Sequence, residues 1–310
     1  MNSKKIRKSI GRFFGWIGLI TCSSVIRFLD SKRIYAYARK ISTLGYIIAA
    51  KQRKIALESL KLAFGVSLTG EQIEQIAREC FDNMAKSGVE LLFLLDKPQL
   101  LRQRVKIVGK ENLEAALSKG KGVILVSGHF GNFPLMLARI GLEGYQVSGI
   151  MRHMRDKRVE KMFLEKREHF NIKTIYSQPR KQCVEKTIRY LRNNELVFIP
   201  MDQNFGTAGV FVDFFGRKAA TATGPIILAE RTKAAILPCF IVRQSDDAHK
   251  IIFETEFNLV QKDNNQEKLV FNIQKITDII EAYIRKYPAQ WGWIHRRWKS
   301  RPSQGPIVGG

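Results

Sequence analysis

The chain has 310 residues, of which 45% are hydrophobic and 26% charged, so it has enough apolar surface to fold and is not an extended disordered protein. The 52 Lys and Arg residues outnumber the 28 Asp and Glu residues, which gives a formal net charge of +24. This surplus predicts an anionic partner: nucleic acid, an anionic membrane surface or a phosphorylated substrate. The four cysteines are scattered without a C-x-x-C pair, which disfavours a disulfide framework or a zinc site and favours a reducing compartment.

Residues 1–30 start with a basic stretch and continue into an apolar run at 13–29. Polar residues interrupt this run, no small-residue cleavage pattern follows it, and it falls short of the roughly 20 apolar residues that a clean membrane span needs. Apolar side chains recur at helical spacing, at Ile6, Ile10, Phe13, Ile17 and Ile20. We therefore predict an uncleaved amphipathic membrane anchor, with a short transmembrane helix as the alternative. Residues 1–60 hold 13 Lys and Arg against two acidic residues, which favours the cytoplasmic face of the membrane.

Residues 31–302 are expected to form the main domain. The pattern is helical from 30 to about 95, where Thr69 and Gln72 have the spacing of a capping box and Pro98 ends the last helix. From residue 105, β-branched strand candidates alternate with helices, and they lie at 105–108, 122–128, 145–151, 172–176, 196–201, 234–242 and 250–257. This alternation predicts an α/β fold with a mixed, mostly parallel sheet flanked by helices. The Gly/Pro/Ser-rich residues 303–310 are expected to be a flexible tail.

A candidate catalytic histidine follows the apolar strand at 122–128. His129 stands where open α/β sheets place their sites, and its ordinary pKa of about 6.5 suits a general base. Gly131 allows a close backbone approach, and free N–H groups at the start of the next helix, near Asn132, suit an anionic oxygen. A histidine at the end of a strand can also be purely structural, and context has to decide.

Three further polar clusters follow. Asp202 and Gln203 come just after the strand at 196–201, and Arg217 precedes a predicted helix start at Gly224. Residues 291–299 alternate tryptophans with basic residues, Arg296 and Arg297 among them. Such a pattern suits phosphate or lipid headgroups and equally suits single-stranded nucleic acid. No helix-turn-helix, zinc-finger or RRM signature is present, so nucleic acid is not the expected partner.

Taken in order, five motifs resemble one family. They are SGHFGNF, GIMRHM, PMDQNFG, FVDFFGRKAATATGP and PAQWGWIHRRWKSRP, and with the helical segment 51–65 they span residues 50 to 302. The chain resembles the bacterial lipid A biosynthesis acyltransferases, which are lauroyl and myristoyl transferases of the wider lysophospholipid acyltransferase superfamily.

The resemblance implies a glycerol-phosphate acyltransferase-like fold, with residues 31–302 as the acyltransferase domain and 1–30 as an anchor on the cytoplasmic face of a bacterial inner membrane. It implies transfer of a fatty acyl chain from acyl carrier protein or coenzyme A to a hydroxyl of a lipid A precursor or related glycolipid, without a metal or cofactor. By the same resemblance His129 is the general base, and Asp202 lies in the site. The residues expected to contact substrate are Gly131, Asn132, Arg152, Gln203, Arg217, Arg296 and Arg297.

The sequence departs from the family pattern at one position. The family has an acidic residue five positions after the histidine, whereas this chain has Pro134. Asp202, or failing that Glu143, could replace the acid; His129 could use Asn132 or a backbone group; or the chain could be a weak or inactive relative. The alternative functions are therefore a lysophospholipid acyltransferase and a non-catalytic lipid-binding protein.

Overall fold

A computed structural model describes the backbone of residues 3–302 and the side chains of residues 10–302 other than Thr207. The predicted tail 303–310 lies outside the described residues. The helices are α1 Ser3–Arg27, α2 Arg33–Ile48, α3 Ala50–Phe64, α4 Gly70–Leu94, α5 Pro98–Arg104, α6 Lys110–Ser118, α7 Phe133–Leu142, α8 Lys157–His169, α9 Arg180–Arg192, α10 Gly224–Thr232 and α11 Asn265–Lys286. The strands are β1 Val105–Val108, β2 Val123–Ser127, β3 Val147–Met151, β4 Ile172–Tyr176, β5 Leu196–Pro200, β6 Val210–Phe214, β7 Arg217–Thr221, β8 Ala235–Arg243 and β9 His249–Phe253.

Seven strands form one mixed sheet in the order β1-β9-β8-β2-β5-β3-β4. Strands β8, β2, β5, β3 and β4 are parallel, and β9 pairs antiparallel with β8 and parallel with β1. The predicted α/β fold with a mostly parallel, helix-flanked sheet is confirmed. The strand expected at 250–257 ends earlier, at Phe253.

Helices cover both faces of the sheet because successive strand residues point to opposite sides. On β2, Ile124 and Val126 pack with α3, α9, α10 and α11, whereas Val123 and Leu125 pack with α2, α5, α6 and α7. Helix α4 contributes to both cores, with Ile73 and Ala77 in the first and Val89 and Phe93 in the second. Its start is the predicted capping box, in which Thr69 and Gln72 exchange side-chain hydrogen bonds.

A two-stranded hairpin, β6–β7, was not expected from the sequence. Its two turn residues, Phe215 and Gly216, both have positive φ (54° and 68°), the combination that a tight hairpin turn requires. A bulky aromatic residue is rare in this conformation. Phe215 is held there by edge contacts with Phe64 and Trp293 and by a hydrogen bond from its N–H to Glu281, so tertiary packing selects the turn.

Helix α1 places its two halves in different environments. Leu19, Cys22 and Ile26 pack against the core beside α4, while Phe13 and Phe14 are largely exposed. Within residues 3–302, no helix, α1 included, has the length and hydropathy needed to cross a bilayer.

Candidate active site

The polar residues predicted from strand ends meet at one edge of the sheet. Strands β2, β5 and β3 are adjacent and parallel, so their carboxyl ends lie side by side. His129 follows β2 by two residues, Asp202 follows β5 by two, and Arg152 follows β3 directly. Ligands of open α/β sheets bind at this edge, and the topology therefore forms a site from distant parts of the chain.

Asp202 is the acid that binds His129. Its Oδ1 lies 2.7 Å from the ring Nδ1 of His129, and its Oδ2 accepts the backbone N–H of His129 at 2.7 Å. The carboxylate is buried, with 1% of the side chain exposed, while 23% of the imidazole is exposed. The same carboxylate therefore fixes the backbone and the ring of His129 together.

Trp291 completes the environment of this carboxylate. Its indole N–H donates to Asp202 Oδ2 at 2.6 Å, and residue 291 forms an isolated β-bridge with Phe130. Trp291 is itself buried and packs edge-to-face against Trp293, with 4.6 Å between the ring centroids. The tryptophan-rich segment near the end of the chain thus supports the acid of the site rather than forming only a surface cluster.

The charges of the pair reinforce each other. Burial alone would raise the pKa of Asp202, but the charge and hydrogen bonds of His129 and the Trp291 hydrogen bond hold the pKa of this carboxyl well below its ordinary value. For His129, burial lowers the pKa, and the Asp202 charge and hydrogen bond outweigh it, so the pKa lies above its ordinary value of 6.5. An ionised Asp202 can only accept hydrogen bonds, so in the neutral form of the ring Nδ1 carries the proton and Nε2 has the lone pair.

Gln203 lies on the reactive side of the imidazole. Its side-chain amide nitrogen is 3.1 Å from His129 Nε2, in position to donate to the lone pair. The Gln203 side chain is exposed, so it can rotate away and leave Nε2 to a ligand hydroxyl. Gln203 and His129, both predicted site residues, are therefore in contact.

His295 is a second imidazole that the sequence did not single out. Its ring centroid is 5.6 Å from that of His129, and within the described residues its ring nitrogens have no hydrogen-bond partner. Burial, followed by the nearby charge of His129, lowers the pKa of His295 below its ordinary value, so the ring is neutral at neutral pH. The sequence showed His295 only as one residue of a basic, aromatic segment.

The loop after β2 is held from the side opposite the carboxylate. Gly131 has φ +55°, and a Cβ there would be 2.1 Å from the carbonyl oxygen of Ile241, so only glycine fits against β8. Its N–H donates to the carbonyl of Gln290 at 2.8 Å. Gly131 thus allows a close approach of the backbone to strand β8.

Asn132 does not face the site. It is 1% exposed; its oxygen caps α7 at the N–H of Leu135, and its amide donates to Glu90 at 2.9 Å and to the carbonyl of Ser87. The polar side-chain atoms of Asn132 are therefore bound inside the fold, and its contact with substrate stays a prediction. It is not the partner of the His129 ring for the same reason.

Glu143 is not the missing acid. It forms ion pairs with Arg139 at 2.6 Å and with Arg102 at 3.4 Å, at the far end of α7 from His129. Pro134 lies in the first turn of α7, where its missing N–H leaves no intrahelical hydrogen bond unmade. Of the alternatives for the acid, Asp202 is the one that contacts the ring.

The four predicted arginines have different environments. Arg152 and Arg296 are exposed, and Arg217 is exposed with its Nε donating to the carbonyl of Leu62 at 3.0 Å. Arg297 is fully buried and donates to the carbonyls of Gln203 and Ala220 and to Thr221 Oγ1. Arg297 therefore fixes the loop that carries Gln203, and its role as a substrate contact stays a prediction.

Comparison with known proteins identifies a family. A sequence model described as "Bacterial lipid A biosynthesis acyltransferase" matches residues 1–300. The chain belongs to this family. It is an acyltransferase, as the resemblance predicted.

Similar proteins share modest identity with this chain, and two of them are covered over most of their length. The chain is 27% identical over 278 residues to the lipid A biosynthesis palmitoleoyltransferase of Escherichia coli strain K12, covering 85% of this chain and 84% of that protein. It is 23% identical over 297 residues to the lipid A biosynthesis lauroyltransferase of the same strain, covering 94% and 93%. A phosphatidylinositol mannoside acyltransferase of Mycobacterium tuberculosis strain CDC 1551 is 28% identical over 142 residues, 45% of each chain. The named acceptors of these relatives are therefore different glycolipids.

Proposed function

We propose that this acyltransferase moves a fatty acyl chain from an acyl thioester to a hydroxyl of a lipid A precursor or related glycolipid, with His129 as general base. The observation that carries the proposal is the Asp202–His129 pair, which fixes the ring proton on Nδ1 and leaves Nε2 unprotonated at the open side of the site. A general base has to lie within hydrogen-bond reach of the proton that it takes, and Nε2 is the accessible atom.

The reaction follows from this arrangement. The acceptor hydroxyl displaces Gln203 from His129 Nε2 and gives its proton to that nitrogen as its oxygen attacks the thioester carbonyl carbon. The resulting tetrahedral intermediate collapses with cleavage of the C–S bond, and the thiolate takes the proton back from Nε2. The ester and the free thiol are the products, so atoms and charge balance. Asp202 stabilises the imidazolium while it exists.

The loss of the usual acid at Pro134 does not remove the base from this mechanism. Asp202 reaches the ring nitrogen from the end of the adjacent strand, and Trp291 and the His129 backbone N–H stabilise its charge. This arrangement favours a catalytic protein over a non-catalytic lipid-binding relative. Arg152, which follows the next strand, is in position to contact a phosphate of the acceptor.

The donor is proposed to be acyl carrier protein or acyl-coenzyme A. Both are anionic, and the net charge of +24 attracts either of them at long range. Helix α1 is proposed to hold the protein on the cytoplasmic face of the bacterial inner membrane, because its Phe13, Phe14 and Ile17 are exposed and suit insertion among lipid headgroups.

The test is a transfer assay with purified full-length protein. A radiolabelled acyl group on acyl carrier protein, or on coenzyme A, is offered to a lipid A precursor, a mannosylated phosphatidylinositol and a lysophospholipid in separate reactions. We expect label in the lipid A precursor, and loss of the label with His129→Ala. Transfer to the lysophospholipid alone would mean that the acceptor is a lysophospholipid and not a glycolipid. No transfer with any donor and acceptor would overturn the proposal.

A further inference from the structure

The first turns of helix α8 carry a cluster of exposed cations that the proposed reaction does not use. Between residues 152 and 161 there are five Lys and Arg residues against two acidic residues. Four of these cations follow Arg152 and have exposed side chains; they are Arg155, Lys157, Arg158 and Lys161, called the α8 basic cluster below. Helix α8 has no buried side chain, so these residues lie on a helix at the periphery of the fold.

The cluster touches the apolar part of helix α1. The Arg158 guanidinium lies over the rings of Phe13 and Trp16, with its carbon 5.8 Å and 5.4 Å from the two ring centroids. Phe13 is itself 50% exposed. The basic cluster and the exposed apolar face of α1 are therefore neighbours on one surface, with cations bordering aromatic side chains as they do in proteins that bind membrane interfaces.

Arg158 is held in a fixed orientation. Its Nε and Nη2 donate to the two oxygens of Asp156 at 3.1 Å and 2.7 Å, which is a bidentate pair. Within the described residues, its Nη1 has no hydrogen-bond partner, so this nitrogen can donate to a phosphate without breaking the pair. Asp156 also caps α8, accepting the backbone N–H of Arg158 at 3.0 Å.

The helix dipole does not favour the two cations at the start of α8. Acidic residues are stabilising near a helix start and basic residues near its end, and α8 follows this pattern with the N-cap Asp156 and Glu160 at one end and Lys166 and Arg167 at the other. Lys157 and Arg158 in the first turn depart from it. Helix stability therefore does not explain these two cations, which stand at the end of α8 that touches α1 and follows Arg152.

This end of α8 also adjoins the active-site edge of the sheet. Strand β3 ends at Met151, and the chain passes through Arg152 directly into the cluster. Because β3 is parallel to β5, the cluster begins on the same edge as Asp202 and, one strand further, His129. A phosphate-bearing surface held by the cluster would therefore lie beside the entrance to the site.

We propose that the α8 basic cluster binds the phosphate headgroups of an anionic bilayer, next to the apolar face of α1, and so turns the active-site edge toward the lipid surface. This inference rests on the proposed function in assigning α1 to the membrane. The occupant is a lipid surface rather than an acidic protein, because the cations adjoin exposed aromatic and aliphatic side chains that a bilayer interface buries.

The test uses the full-length protein and sedimentation with vesicles. The variant is Lys157→Gln/Lys161→Gln, which removes two charges from a face with no core contact. Its matched control is Arg189→Gln/Arg192→Gln, which removes two exposed charges from the last turn of α9, at the opposite edge of the sheet. Thermal unfolding of both variants is expected to match that of the unaltered protein.

We expect the α8 variant to bind vesicles of phosphatidylcholine and phosphatidylglycerol about 25-fold more weakly, since each cation near an anionic surface contributes about fivefold. The α9 control should change this affinity by less than about threefold, and binding to pure phosphatidylcholine should be the same for all three proteins. Unchanged binding by the α8 variant, or an equal loss in the control, would overturn the proposal.

A second readout separates this inference from the proposed reaction. Acyl transfer to an acceptor presented in anionic vesicles should fall in the α8 variant, while transfer to the same acceptor in neutral detergent micelles should not. If the variant instead keeps vesicle binding and raises the KM for acyl carrier protein, the cluster is a protein-docking site and the proposal is wrong. If no protein transfers acyl groups in micelles, the reaction is wrong and the vesicle binding still decides the role of α8.

Discussion

Two buried carboxylates in this protein each bind a histidine, and their surroundings differ. Glu90 on α4 accepts from Tyr35, Asn132, Arg243 and His249 Nε2, and all of these side chains are buried. Asp202 accepts from Trp291 and His129, and the His129 ring opens to the surface. The two pairs have similar chemistry, but the second ring nitrogen is buried in one and accessible in the other.

The free nitrogen of each histidine decides what the pair can do. Among the described residues, His249 Nδ1 has no hydrogen-bond partner, and it is buried, so no substrate proton can reach it. His129 Nε2 contacts the side chain of Gln203, which is exposed and can rotate away. A histidine bound to a buried carboxylate is therefore a candidate base only where its other nitrogen is accessible, and the Glu90 pair is structural by this criterion.

The Glu90 cluster nevertheless supports the site. Asn132 links Glu90 to the loop of His129. The backbone of Arg243 exchanges hydrogen bonds with the side chain of Gln290, and the backbone carbonyl of Gln290 accepts the N–H of Gly131. The loop is thus fixed by the Glu90 cluster at its end and by Asp202 at its beginning. One carboxylate positions the loop, and the other acts on the reacting side chain.

The largest expected effect separates the two histidines. His129→Ala should lower kcat for acyl transfer by about 10⁴ or more, because the general base and its hydrogen bond are both lost. His249→Asn, the matched change at the other pair, should lower kcat by less than about tenfold while reducing the free energy of unfolding. Steady-state kinetics and urea unfolding of both variants make the measurement. Equal loss of kcat in the two variants would refute the distinction.

The next change acts on the acid. Asp202→Asn should lower kcat by about 10³ to 10⁴, because the amide no longer fixes the ring tautomer or stabilises the imidazolium. The pH profile gives the sign: Asp202 raises the pKa of His129 above 6.5, so its removal lowers that pKa and moves the acid limb of kcat/KM to lower pH. If the acid limb of kcat/KM lies at the same pH in Asp202→Asn as in the unaltered protein, Asp202 is a loop cap and not the partner of His129.

The corresponding change at the other carboxylate should act on stability. Glu90→Gln leaves Arg243 without its buried counter-charge, and breaking such a pair costs about 3 to 5 kcal/mol in the free energy of unfolding. Burial raises the pKa of Glu90, but His249 and Arg243 outweigh it and lower the pKa to about 2 from an ordinary 4.5. Its contribution is therefore present above pH 4.5 and lost as the pH falls toward about 2. The free energies of unfolding of the unaltered protein and of Glu90→Gln, measured with urea, should therefore converge as the pH falls over that range. A difference that does not change with pH would contradict the assignment.

The smallest effect concerns the support of Asp202. Trp291→Phe keeps an aromatic ring in the core but removes the indole N–H, so the free energy of unfolding should fall by about 1.5 to 3 kcal/mol, the range for a hydrogen bond to a charged group. The pKa of Asp202 should rise, because one of the hydrogen bonds that lower it is gone. Trp293→Phe is the control, since that indole donates to the carbonyl of Pro288 and not to Asp202. Carbon-detected NMR titration of Asp202 in the two variants distinguishes them.

Local patterns predicted most of the fold and part of the site. The β-branched runs predicted the sheet strands, and the Thr69–Gln72 spacing predicted the start of α4, because these signals depend on neighbours in the chain. The hairpin β6–β7 was missed, since its turn has Phe215 in a conformation that only contacts with Phe64, Trp293 and Glu281 stabilise. His129, Asp202 and Gln203 were recognised as polar residues following strands.

The burial of two predicted site residues was not visible in the sequence. Asn132 and Arg297 were expected at the substrate because polar and basic residues usually face solvent. Both are buried because other segments supply partners for their polar atoms: Glu90 and Ser87 for Asn132, and residues 203, 220 and 221 for Arg297. No spacing within the sequence indicates those partners.

The sequence by itself determined the fold class, the family and the histidine, since each depends on residue type and short-range order. It left open which group replaces the acid missing at Pro134. The tertiary structure decided that point, because Asp202 is 73 residues from His129 in the chain and meets it only where β5 pairs with β2. The strand order of a sheet is a property of the whole packed chain, and so is the open side of His129 that makes this pair, and not the Glu90 pair, the candidate for catalysis.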